Sequence, residues 1–167
     1  MADQTQENLY ATFVGESKAH FRLLAFAEKA EEEELDRIAL LFRAVAEAER
    51  VHAIKSLRLL REFFVKDTQS NLELSFEREK DIAGERYPEF IRTAEAEGNQ
   101  PAAVAFSHMR DAENRHATLY KHALQFMLAD DDPEYHVCPV CGYIAEGAAP
   151  ETCPVCGVSG EQFCRVT

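Results

Sequence analysis

The chain lacks any apolar run long enough to span a bilayer, and its N-terminus, MADQTQENLY, lacks the basic and apolar stretches of an export signal. Both absences point to a cytoplasmic protein. Cysteine is missing from the first 137 residues, and all five cysteines crowd into the remaining segment. An odd number in so short a stretch fits a metal site better than a secreted disulfide framework. Glycine and proline are scarce between residues 5 and 129, where only Gly15, Gly84, Pro88, Gly98 and Pro101 occur. An all-β architecture, which needs frequent turns, finds no support there. Positive charge is also short: 18 Lys and Arg face 30 Asp and Glu, a formal net charge of −12. Such a surface repels nucleic acid and anionic membranes, so neither is an expected partner.

What is present is helix-forming. The first 129 residues are rich in Ala, Leu, Phe, Glu, Arg and Lys. Apolar residues recur at helical spacing, as in Ile38, Leu41, Phe42 and Val45, or Phe106, Met109, Ala112 and Leu119. The pattern predicts four long helices, over about 5–30, 35–66, 70–97 and 101–129. Gly98-Asn-Gln-Pro101 is a stop followed by a start, with glycine after one helix and proline in the first turn of the next. Asp130-Asp-Asp-Pro133 then separates the helical part from the cysteines. The expected organisation is an all-α four-helix bundle over 1–132 and a small metal-knuckle domain over 133–167.

The helical part repeats itself. Phe26, Phe42, Glu49, His52 and Ala53 recur 64 residues later as Phe90, Phe106, Glu113, His116 and Ala117. Phe13 and Glu16 recur as Phe76 and Glu79 at an offset of 63, so the second copy carries one extra residue, expected near Tyr87-Pro88. Each copy supplies one Glu on its first helix and a Glu-x-x-His on its second: Glu16 with Glu49 and His52, Glu79 with Glu113 and His116. Residues three apart share a helix face, so each Glu-x-x-His can hold one metal jointly. A lone Glu-x-x-His would be an ordinary surface pair; two at the repeat offset, each with a partner Glu, make that explanation hard to sustain. Four carboxylates and two imidazoles are the donor set of ferritin-like di-iron bundles, and mixed oxygen and nitrogen donors suit iron or manganese. His20 has Ala83 as its repeat partner and is read as non-ligating. His108 and His122 have no carboxylate at ligand spacing, and Glu31–Glu34 reads as a solvated turn.

The C-terminal cysteines form two Cys-Pro-Val-Cys-Gly units, Cys138/Cys141 and Cys153/Cys156. Such pairs close a tetrahedral four-sulfur cage, each glycine permitting a left-handed turn that aims N–H groups at sulfur. Spacing alone leaves zinc and iron open. The repeated Pro-Val, Tyr143 after the first pair and Phe163 as a covering ring look like rubredoxin. Cys164 stands outside both pairs and is read as a free thiol.

A ferritin-like bundle followed by a rubredoxin-like module resembles rubrerythrin over essentially the whole chain. The matching stretches are Gly15-Glu-Ser17, Ala48-Glu-Arg-Val-His52, Asn71-Leu72, Tyr87-Pro-Glu-Phe90, Ala112-Glu-Asn-Arg-His116 and the two cysteine pairs. The resemblance implies a non-haem peroxidase with a di-iron centre and one Fe(Cys)4 centre, reducing hydrogen peroxide to water with electrons from a reductase or rubredoxin. Ferroxidase or iron-handling activity, or reduction of dioxygen, is the alternative. Rubrerythrins usually place a further Glu three residues after the one matching Glu79. Here that position is Ile82, which implies six protein ligands and no redox-linked exchange of His52 for a seventh carboxylate.

The repeat also bears on assembly. Two-fold symmetry of the site makes the second and third helices run the same way, requiring a return of roughly 30 Å at ~1.5 Å per residue. Five or six extended residues cover at most ~20 Å. A homodimer that exchanges helical pairs removes the strain.

Overall fold

The computed structural model describes residues 3–127 and 133–167. The helical tract becomes α1 (Gln4–Glu32), α2 (Asp36–Leu59), a short α3 (Arg61–Phe64), α4 (Thr68–Asp81), α5 (Tyr87–Ala96) and α6 (Gln100–Gln125). Polar side chains cap three of these helices. Asp3 accepts from the N–H groups of Thr5 and Gln6, Asp67 from that of Ser70, and Asn99 from that of Ala102. Pro101 lies in the first turn of α6, as expected, since its missing N–H would have no helical partner there. The second helix does not run unbroken to residue 66. It pauses at Leu60 (φ −90°, ψ 3°), whose side chain is 1% exposed, before α3 resumes. The fourth helix ends at Gln125; the expected end at 129 and the Asp130–Asp132 linker lie outside the described residues.

The extra residue of the second repeat has a physical form. Between α4 and α5 the helix widens into a π-turn over Ile82–Arg86, while α1 runs as unbroken α-helix through the corresponding stretch. A π-turn absorbs a single inserted residue without ending the helix. It sits just ahead of Tyr87-Pro88, where the repeat placed the insertion.

The chain divides into two compact units, one ending at Lys66 and the other beginning at Asp67. In the first, α1 packs on α2, and the buried residues of the pair are small: Ala27 and Ala30 on α1, and a stripe of Ala39, Ala46 and Ala53 on α2. Seven-residue spacing keeps those alanines on one seam and lets the helices approach closely. Larger apolar groups are left outside it, among them Phe21 at 70%, Leu40 at 69% and Leu59 at 62% exposed. In the second unit α4, the π-turn and α5 pack on α6, again through alanines (Ala83, Ala94, Ala103, Ala112 and Ala117). The same unit holds a three-stranded antiparallel sheet in the order β2–β1–β3, with β1 Tyr135–Val137, β2 Ile144–Glu146 and β3 Cys164–Arg165. This is the metal-knuckle module expected at the C-terminus.

Candidate metal centres

The cysteine cage is built from two copies of one turn. Gly142 N–H donates to Cys138 O (3.0 Å) and Gly157 N–H to Cys153 O (2.9 Å), with both glycines left-handed at φ +79° and +77°. A Cβ at either position would strain that turn. The knuckles place Cys138 Sγ 3.6 Å from Cys156 Sγ, and Cys141 Sγ 3.6 Å from Cys153 Sγ, all as free thiols. Metal–sulfur bonds of about 2.3 Å in a tetrahedron put sulfurs about 3.8 Å apart, so the gap fits one ion. Burial raises the Cys141 and Cys156 thiols. At Cys138 burial is the largest influence and pushes upward, but the N–H groups of Cys141 and Val140, together with hydrogen bonds from the Cys156 and Cys141 thiols, bring the thiol down to about 7. Tyr143, Val158 and Phe163 pack around the cage, Phe163 edge-on to Tyr143 at 6.5 Å. Cys164 is exposed and outside it.

The carboxylates and histidines gather as two triplets. Glu16, Glu49 and His52 bring ligand atoms within 4.8 Å of one another in the first unit, and Glu79, Glu113 and His116 do so in the second. Each Glu-x-x-His points both donors at one place: His52 Nδ1 lies 2.9 Å from Glu49 Oε2, and His116 Nδ1 2.8 Å from Glu113 Oε2. Adjacent ligands at about 2.1 Å from one metal are about 3 Å apart, so each pair fits a shared ion. The second triplet shows the electrostatics of a cation site. Glu79 is raised to about 7, first by burial and then by its hydrogen bond to, and the charge of, Glu113. A bound cation would relieve both. Tyr87 is raised too, by burial and then by the charges of Glu113 and Glu79.

His20 joins neither triplet; its Nδ1 lies 2.8 Å from Ala46 O, bridging α1 and α2. His108 is also outside both. His122 lies 3.7 Å from Glu146. The acidic run closes the α1–α2 turn, with Glu31 paired to Arg43 and Lys29 to Glu32 and Glu33.

The cage and the second triplet touch directly. His116 Nε2 is 2.9 Å from the carbonyl oxygen of Gly142, the residue after Cys141. With Nδ1 turned to Glu113, Nε2 is left to donate, the arrangement that fixes the orientation of a ligating imidazole. This contact covers His116, whose side chain is 21% exposed against 57% for His52.

A sequence model of the rubrerythrin family matches residues 7–124, and one of the rubrerythrin rubredoxin-like domain matches residues 136–164. The chain belongs to the rubrerythrin family. Nigerythrin of Nitratidesulfovibrio vulgaris is 38% identical over 161 residues, covering 89% of this chain and 80% of that protein. Rubrerythrin-1 of Clostridium acetobutylicum is 32% identical, covering 90% and 88%. The solved structure of nigerythrin in a mixed-valence state aligns over 99% of this chain and 88% of that one, with a TM-score of 0.59 at 35% identity. A structure of fully reduced, all-ferrous nigerythrin aligns equally well, at 34% identity. As a rubrerythrin the chain is of the oxidoreductase class, with a rubredoxin-like iron site in the four cysteines and a glutamate–histidine set for a di-iron centre. No helix among the described residues is long and apolar enough to cross a membrane.

Sequence reasoning quoted Tyr87 and Arg115 within the matching stretches but gave neither a role. The repeat carried the signal for both, since Tyr87 stands where the first copy has Leu23, and Arg115 where it has Val51.

Proposed function

We propose that this rubrerythrin is a peroxidase that reduces hydrogen peroxide to water. Glu16, Glu49, His52, Glu79, Glu113 and His116 are its bundle ligands, and Cys138, Cys141, Cys153 and Cys156 hold the Fe(Cys)4 centre. When bound, the iron supplies the redox chemistry: two ferrous ions furnish the two electrons that, with two protons, turn one H2O2 into two waters. The chain's own part is positional. The two Glu-x-x-His pairs present their donors already converged, and Glu16 and Glu79 each add a carboxylate to one pair. Electrons enter the cysteine module from a cytoplasmic reductase or rubredoxin.

The observation carrying this reading is the hydrogen bond from His116 Nε2 to Gly142 O. It ties a bundle ligand to the backbone of the cage through one residue, as an electron relay needs and an iron store does not. The test is anaerobic reduction followed by stoichiometric peroxide, watching both iron chromophores. Reoxidation of the two together supports the peroxidase; a cysteine centre that stays reduced while bundle iron oxidises, with ferrous oxidation equally fast without a donor, supports the ferroxidase alternative.

The working form is taken to be a homodimer that exchanges helical pairs, with the module beginning near residue 133. Only Val65–Asp67 lie between α3 and α4, spanning at most ~11 Å. The large apolar groups outside the alanine seams also call for a further packing partner.

A further inference from the structure

We propose that Arg115 is a positioning residue that holds the cysteine module in electron-transfer register with the bundle. The inference rests on the relay reading above. Arg115 precedes the ligand His116 on α6 and reaches three successive features of the module. Its Nε donates to Ile144 O at 3.0 Å, its guanidinium lies 6.0 Å from the Tyr143 ring centroid, and a terminal nitrogen is 3.9 Å from Glu146 Oε2. The grip falls on the strand that leaves the first knuckle, so it sets where the Gly142 carbonyl meets His116 Nε2.

Packing does not do this alone. Between α6 and the sheet lies a cavity of about 480 Å³, walled by Leu119, Tyr120, Tyr135, Val137 and Val166. A close-packed contact would fix the module by shape; a contact opened by a cleft leans more on its polar links. Of those, His122 to Glu146 at 3.7 Å and Arg115 to Glu146 at 3.9 Å are both long approaches, His116 to Gly142 is the link to be positioned, and the bond from Arg115 Nε to Ile144 O at 3.0 Å is the short one left to hold it. The planar guanidinium can stack, pair and donate at once, which an ammonium cannot. The internal repeat makes the same point. The first copy, which has no module to hold, carries Val51 there, half exposed, so the helical scaffold itself has no need of arginine.

The test uses the full iron-loaded chain. Arg115→Leu should keep its full iron content, since no ligand is touched. After anaerobic reduction and one equivalent of peroxide, reoxidation of its Fe(Cys)4 chromophore should slow by up to about a hundredfold, the scale on which a displacement near 1 Å acts on a reacting geometry. The bundle chromophore should reoxidise at the parental rate, and Arg115→Lys should fall between. Hydrogen exchange of the zinc-loaded protein should show faster exchange over residues 142–146, a readout independent of turnover. If Arg115→Leu does not fold, Arg115→Lys and Glu146→Gln carry the test, each slowing the same phase by a smaller factor. Parental rates in the variants overturn the proposal while leaving the relay intact. Equal slowing of both chromophores, or loss of iron, overturns it in favour of a structural role. Failure of peroxide to reoxidise the cysteine centre in the parent overturns the relay reading, and the positioning role with it.

Discussion

Removing the metal should leave a pH signature traceable to Glu79. Its folded-state value of about 7 stands above the ordinary 4.5, because burial and the neighbouring Glu113 carboxylate both oppose its charge. The folded metal-free protein therefore holds a proton that the unfolded chain has already released. Stability from this group is complete below pH 4.5 and falls as pH rises towards and through 7. The full separation corresponds to about 3 kcal/mol at roughly 1.4 kcal/mol per pH unit. The carboxyl is only partly buried, so solvent screening leaves on the order of 1 kcal/mol. Urea midpoints of the chelated protein and of Glu79→Gln, at pH 5 and pH 8 and one protein concentration, isolate the effect. The general repulsion of a chain carrying −12 is nearly common to both, and cancels in the difference. The variant should match the parent at pH 5 to within a few tenths and exceed it at pH 8 by about 1 kcal/mol. Ferrous or zinc ion should reverse the trend, because coordination needs the ionised carboxylate and releases its proton. An identical pH dependence in parent and variant would refute the argument that burial and the Glu113 carboxylate hold Glu79 protonated in the metal-free protein.

Other perturbations read different parts of the molecule. Gly160→Ala should destabilise the cysteine module by at least about 2 kcal/mol, since an added Cβ would lie 1.7 Å from the backbone oxygen of Pro150; unchanged iron retention in that module on heating would contradict it. Cys141→Ser should abolish the Fe(Cys)4 absorption while bundle iron is retained, which metal analysis alongside visible spectra would show. Structures of oxidised and reduced protein should show bundle iron moving by less than ~1 Å, a shift near half a metal–ligand bond, with Ile82→Glu restoring a larger movement; a larger displacement in the parent sinks the six-ligand reading. Sedimentation at micromolar concentration should give a dimer, and a monomer would exclude the exchange of helical pairs.

The side-chain groupings of this rubrerythrin were legible in its sequence because they are encoded locally. Glu49 with His52 and Glu113 with His116 are three apart on helices, so periodicity alone aligns their donors, and duplication marks them out from ordinary surface charge. The cage is equally local, its two five-residue turns each closing on a left-handed glycine. Helix starts at Asp3, Asp67 and Asn99 follow from side chains that cap by neighbouring hydrogen bonds. Tertiary structure decided what depends on segments distant along the chain. It turned the extra residue of the second repeat into a π-turn at Ile82–Arg86, a choice made where α4 and α5 pack on α6. It broke the second helix at Leu60, a buried residue whose backbone (φ −90°, ψ 3°) departs from helical geometry where the sequence pattern shows no interruption. It raised Glu79 by placing it against Glu113, 34 positions on. It also set His116 on the Gly142 carbonyl and Arg115 on Ile144, contacts spanning 26 and 29 positions. A helix can aim a side chain from its own spacing; what that side chain meets is settled only when another part of the chain folds against it.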